Sequence, residues 1–180
     1  MPSKEDRGTA KSVKAPKKRS HRFWVNSVLN KIRSSTQNQK RLKIIKAVAK
    51  GNAPWIDEVL IEALDDPSEE IRDFLIQELG QKKRVNLVLL SLKLKRPPWY
   101  VKSSVMKILA LQKRQEAFSL IEEAVDDSNA EVRRCAAQAL GEIGGKQALA
   151  LLAKLMKDGN HFVRKSAEEA MRKIAEIKFA

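Results

Sequence analysis

The sequence predicts an all-α protein, a solenoid of about five helix pairs. Three observations lead there. An apolar residue followed by a basic one recurs as Ile71-Arg72, Val101-Lys102, Val132-Arg133 and Val163-Arg164, at steps of 30, 31 and 31 residues. Four and eight residues past each apolar position stand further apolar residues: Leu75 and Leu79, Val105 and Leu109, Ala136 and Leu140, Ala167 and Met171. That spacing puts them on one face of a helix. Finally, the chain of 180 residues is 43% hydrophobic but only 5% aromatic, a mixture that favours helix over sheet. A unit repeated at this period buries its apolar face only by stacking on its neighbours.

The elements follow in order. Residues 1–20, MPSKEDRGTAKSVKAPKKRS, lack apolar periodicity and are rich in Lys, Ser and Pro, so a disordered basic tail is expected. The solenoid then covers 21–180. In HRFWVNSVLNKIR, the residues Phe23, Trp24, Val28, Leu29 and Ile32 form the apolar side of a first helix that caps the stack. The other reading of this helix is a basic amphipathic segment lying on a membrane or a partner. Stepping back 31 from Ile71 gives Lys40, with Ile44 and Val48 at the repeat offsets, so the first pair (21–50) is a degenerate copy. Further first helices are expected over 54–64, 84–94, 115–125 and 146–156, each about three turns of amphipathic spacing. Asp66-Pro67 reads as an N-cap and first helical position, and Ser128 with Glu131 as a capping box, with Ser34 and Gln37 a looser one. Gly144-Gly145 breaks the chain between helices, and a last helix runs from about 160 to 178.

The segment DDSNAEVRRCAAQALGEIGGKQALALLAKLMKDGNHFVRKSAEEAMRKI (126–174) resembles HEAT repeats of the short bacterial kind named after phycobilisome lyases. The resemblance implies a right-handed superhelix with the second helix of each pair lining a concave face. It also implies an Asp–Arg ladder between repeats, which Asp66/Arg72, Asp127/Arg133 and Asp158/Arg164 match. One turn departs from it. KRPPWYVK (95–102) has Arg96 where DDPSEEIR, DDSNAEVR and KDGNHFVR have an aspartate. Two readings of Arg96 stand: pairing with Asp66 or Asp127 of the neighbouring turns, or facing a ligand.

Catalytic chemistry is not expected. His21 and His161 are the only histidines, and no metal-ligand spacing joins them to Cys135. Some HEAT-repeat enzymes bind iron through His-Glu pairs, and no such dipeptide occurs here. Cys135, in an Ala-rich helix, reads as a buried structural thiol. As the only cysteine it excludes a disulfide framework and fits a cytoplasmic location. No run of 18 apolar residues is present, and no apolar stretch follows the basic N-terminus, so neither a membrane span nor a secretory signal is expected. No cofactor is expected.

The net charge is +14, unevenly spread. Residues 1–50 hold fifteen Lys and Arg against Glu5 and Asp6; 51–80 hold nine acids against Arg72; 81–114 hold ten Lys and Arg and no acid. Such blocks form an electrostatic footprint. The reading that follows is a non-enzymatic, monomeric binding or scaffold module for a protein partner with an acidic surface. The alternative is nucleic-acid binding through the basic tail and residues 81–114. Lys107, Arg134, Gln138, Lys165 and Glu169 are the candidates for partner contact on the second helices, with Lys43 and Lys46 extending the row. Lys95, Arg96, Lys102 and Lys107 are the candidates for a basic ridge, with Trp99 and Tyr100 as anchors or stacking platforms.

Overall fold

The computed structural model describes residues 20–95 and 98–179. Of the expected tail (1–20), residues 1–19 lie outside the described residues, as does Arg96, while Ser20 is the N-cap of the first helix. Among the described residues the chain forms ten α-helices and no strand: α1 (His21–Arg33), α2 (Asn38–Ala49), α3 (Ile56–Glu62), α4 (Glu69–Gly80), α5 (Leu87–Leu94), α6 (Trp99–Gln112), α7 (Phe118–Ala124), α8 (Ala130–Ile143), α9 (Gly145–Leu155) and α10 (His161–Phe179). Short 3-10 turns extend α3 forward (Ala63–Asp65) and precede α7 (Gln115–Ala117). Successive helices pair, and the second helices α2, α4, α6, α8 and α10 pack in series.

The repeat positions form the core. Ile71, Leu75, Leu79, Val101, Val105, Leu109, Val132, Ala136, Leu140, Val163 and Ala167 have no exposed surface. Burying each Leu, Ile or Val side chain contributes about 1.5–3 kcal/mol. The first pair departs from the expected register by one residue. Leu42 and Ile45 are buried, while Ile44 and Val48 are only half-buried. In α1 the buried set is Val25, Leu29 and Ile32; Phe23 and Trp24 stay about two-fifths exposed, with Trp24 stacked on Trp55.

Two glycines at one repeat offset let the second helices approach closely. A Cβ on Gly141 would stand 2.8 Å from the Ala170 Cβ, and one on Gly80 would stand 2.4 Å from the Leu111 Cδ1. The Gly144-Gly145 break behaves as expected: both have positive φ, and α8 ends and α9 begins there.

The turns correct the expected caps. Asn129, not Ser128, caps α8 and accepts from the Glu131 amide at 2.9 Å. Ser68, not Asp66, stands at the N-cap of α4, and Ser34 closes α1 instead of opening α2. The aspartates sit two residues before the caps and tie the turn. Asp66, Asp127 and Asp158 accept from the amides of Ser68, Asn129 and Asn160 at 2.9, 2.9 and 2.8 Å. Sequence spacing alone does not separate a capping side chain from one that closes the turn before the cap.

Each of these aspartates also receives a cation from the preceding pair, 25 residues earlier. Arg41 meets Asp66 through Nε and Nη2 at 2.7 and 2.9 Å, Arg133 meets Asp158 at the same distances, and Lys102 Nζ meets Asp127 at 2.7 Å. Arg72, Arg133 and Arg164 also donate to the carbonyls of Asp66, Asp127 and Asp158 in their own turns. Arg41 is the rung the sequence reading missed. It stands 31 residues before Arg72 but was hidden by the polar Lys40 beside it. The ladder breaks at Arg72, whose counterpart aspartate is replaced by Arg96. Among the described residues Arg72 meets no carboxylate, and its guanidinium lies over the Tyr100 ring at 4.4 Å. Both acceptors expected for Arg96 are engaged: Asp66 by Arg41 and Asp127 by Lys102.

The hydrogen bond from Arg133 holds the Asp158 carboxyl below its ordinary value. A depressed carboxylate contributes stability in full above its unfolded pKa of about 3.9 and loses it as pH falls through the folded value. Asp158→Asn therefore costs about 2 kcal/mol at pH 7. The gap to the parent protein narrows as pH falls below the unfolded value and through the lower folded one, which a pH series of urea melts measures.

Candidate interaction groove

The second helices α4, α6, α8 and α10 line a groove of about 790 Å³. Six residues past each repeat origin stand Gln77, Lys107, Gln138 and Glu169, one from each helix, and all four line it. Between them Ile76, Ala110, Leu111, Gly141 and Ala170 make an apolar bed, with Leu111 44% exposed. At the rim Lys113 and Lys173 both bond Glu142, Lys113 at 2.9 Å. Desolvation pushes the Glu142 carboxyl up, but the two ammonium groups outweigh it and hold the group below its ordinary value.

A neighbouring hollow is lined by Glu131, Arg134, Phe162, Lys165 and Glu169. Arg134 bonds Glu131 through Nε and Nη2 at 2.7 and 2.6 Å, which lowers the Glu131 pKa and neutralises both charges locally. The Cys135 thiol lies 3.5 Å from Glu131 Oε1. Burial, with Glu131 beside it, pushes that thiol up to about 12, so it is not a thiolate at neutral pH. It is the buried thiol the sequence leads one to expect. Among the described residues no group of three or more His, Cys, Asp and Glu could hold a metal ion, and no helix is long and apolar enough to cross a membrane.

The expected contact residues divide into several groups. Lys107, Gln138 and Glu169 come together in the groove, and Arg134 and Lys165 in the adjoining hollow. Lys43 and Lys46 lie exposed on α2, with Lys46 Nζ 5.5 Å from the Phe74 ring centre. Of the expected ridge, Lys95, Lys102 and Lys107 are among the described residues and Arg96 is not. Lys102 and Lys107, five residues apart, point about 140° apart around α6. Lys102 is a ladder rung and Lys95 is exposed at the end of α5. Much of the basic block 81–114 is matched internally: Lys82 by Asp57, Lys93 by Glu62 and Asp65, Lys113 by Glu142 and Arg114 by Glu116.

Tyr100 is occupied under Arg72, whereas Trp99 is 48% exposed and touches Tyr100 edge-on. Trp99→Ala is therefore expected to cost about 1–2 kcal/mol, measured by thermal unfolding. A core tryptophan would cost about 3–5 kcal/mol. Leu111 and the Lys113–Glu142–Lys173 cluster belong to the groove but were not singled out from sequence. The signal was available, because Leu111, Glu142 and Lys173 share one repeat offset.

Residues 86–172 match the family described as HEAT repeats. No curated protein matches the chain. Among solved structures, the complex of CpcE and CpcF of phycocyanin lyase from Nostoc sp. PCC7120 is similar at 18% identity and a TM-score of 0.56, covering 97% of this chain and 71% of that one. Human deoxyhypusine hydroxylase is similar at 20% identity and a TM-score of 0.55, covering 85% of this chain and 63% of that one. At these identities the likeness concerns the fold.

Proposed function

We propose, because residues 86–172 match the family described as HEAT repeats, that this chain is a non-enzymatic cytoplasmic scaffold, active as a monomer, that holds an extended segment of a protein partner across α4, α6, α8 and α10. The observation that carries this reading is the row Gln77, Lys107, Gln138 and Glu169 over an apolar bed. Packed helices stand about 8–10 Å apart. An extended chain advances about 3.3–3.6 Å per residue, so about three partner residues cross each helix. The row offers an amide, a cation, an amide and an anion in turn. A segment with an acidic residue over Lys107 and a basic one over Glu169 fits it in one direction only. The exposed Leu111 is the apolar contact such a segment covers. The matched cations of 81–114 argue against a nucleic-acid track through that block.

Peptide selection on the immobilised protein tests the reading. Peptides selected on the parent protein bind Leu111→Asp at least tenfold more weakly, while its thermal midpoint stays within a few degrees. Peptides that bind both proteins equally would remove the groove from consideration.

A further inference from the structure

Four lysines, Lys40, Lys43, Lys46 and Lys50, stand on α2 and the residue that closes it. All four are exposed. Among the described residues none joins an ion pair. This contrasts with Lys82, Lys93, Lys102, Lys113, Lys154 and Lys173, each of which meets a carboxylate. No Asp or Glu occurs between Asp6 and Asp57, so Lys40, Lys43, Lys46 and Lys50 have no acid on their own helix. Offsets of three, six and ten residues place the lysines within about 120° of arc and along about 15 Å of axis. They form one stripe on one face. Lys46 sits over the Phe74 ring, so the stripe touches α4 along one edge.

We infer that this stripe is a second docking surface, separate from the groove, and that its occupant is the acidic face of a helix in a protein partner. Charge complementarity selects an anionic occupant. The spacing selects the helix: lysines about 4.5–6 Å apart along the axis match carboxylates placed at three- and four-residue intervals on a facing helix. The side-chain chemistry argues against nucleic acid. Phosphate recognition favours the arginine fork, and the one arginine of α2, Arg41, is turned inward on Asp66. No aromatic residue lies on the exposed side of α2 for a base to stack on. The inference shares with the scaffold reading only the premise that the chain binds protein.

The test uses a fluorescein-labelled 20-residue Ala/Glu peptide with its glutamates on one helical face. A scrambled isomer of the same composition and a 20-nucleotide single-stranded DNA are its comparators. Anisotropy is read at about 0.15 M salt, where surface attraction is screened beyond about 8 Å. The helical isomer is expected to bind at least threefold tighter than the scrambled one and tighter than the DNA. The triple variant Lys40→Glu, Lys43→Glu, Lys46→Glu is expected to lose at least tenfold, and reversal of the exposed Lys83, Lys146 and Lys157 less than twofold. Leu111→Asp is expected to bind the helical peptide as the parent does, so failure of the groove reading and failure of this one are read separately. Equal loss in both triple variants, no preference for the helical isomer, tighter binding of the DNA, or no binding would each overturn the proposal. If the glutamate triple variant fails to fold, the triple Lys→Gln variant decides, with a fivefold loss expected and no loss overturning it.

Discussion

Asp66→Ala is expected to destabilise the protein by about 3–5 kcal/mol, the range for removing one partner of a buried ion pair. Asp66 and Arg41 are the least exposed pair of the ladder, at 6% and 9% of their side-chain surface. Alanine there leaves the Arg41 guanidinium without its two carboxylate bonds. It also leaves the Ser68 amide without the Oδ1 acceptor that ties the turn before α4. Arg41 keeps only its bonds to the Ser35 and Thr36 carbonyls and to Asn38. Asp127→Ala is the internal comparison. Its partner Lys102 is 24% exposed, so water takes over part of the lost interaction and the cost falls to about 1–2 kcal/mol. Urea unfolding at pH 7 measures both. A cost for Asp66→Ala below that of Asp127→Ala would show that burial does not rank the rungs.

Lys93→Ala is expected to cost about 3–5 kcal/mol, for two reasons that a second variant separates. Only 1% of the Lys93 side chain is exposed, and its ammonium reaches Glu62 at 3.1 Å and Asp65 at 2.9 Å. Alanine removes three buried methylenes, at about 0.8 kcal/mol each, and adds a cavity term. It also leaves two carboxylates facing each other, although these are 28% and 39% exposed and partly hydrated. Lys93→Met restores most of the stem but not the charge. If packing dominates, methionine recovers at least half of the loss. A methionine variant as unstable as alanine would mean that the ammonium carries the effect. The comparison is made by equilibrium denaturation at matched pH and salt.

The solenoid was legible in the sequence because its core obeys a rigid period. Ile71, Val101, Val132 and Val163 each begin a helix whose buried face can be counted off in fours. Legibility ended where neighbouring repeats exchange partners. Asp66 and Arg72 belong to one turn by sequence, but Asp66 takes its guanidinium from Arg41, in the pair before. Lys93 reads as a polar residue in an apolar helix and turns out to be fully buried, because two acids 31 and 28 residues earlier meet it. The groove was half legible. The row through Lys107, Gln138 and Glu169 follows from the repeat, whereas Leu111 looks like another core leucine until the close approach at Gly80 is known. Lys102 and Lys107 look alike in a charge count, yet one ties a turn and the other lines the groove.

The rungs also give the stack a direction. Every intact rung runs from a cation at the start of one second helix to an acid in the following turn, never backwards. Shortening the protein from its two ends is therefore not equivalent. Loss of the last pair takes Asp158 from Arg133, which keeps its bonds to the Asp127 and Ser128 carbonyls of its own turn. Loss of the first pair strands Asp66, an acid that still closes its own turn on the Ser68 amide. A cut at the front leaves a carboxylate to be hydrated, and a cut at the back leaves a guanidinium already bonded to its own turn. Arg164 shows the same own-turn bonding, since it donates to the carbonyls of Asp158 and Gly159.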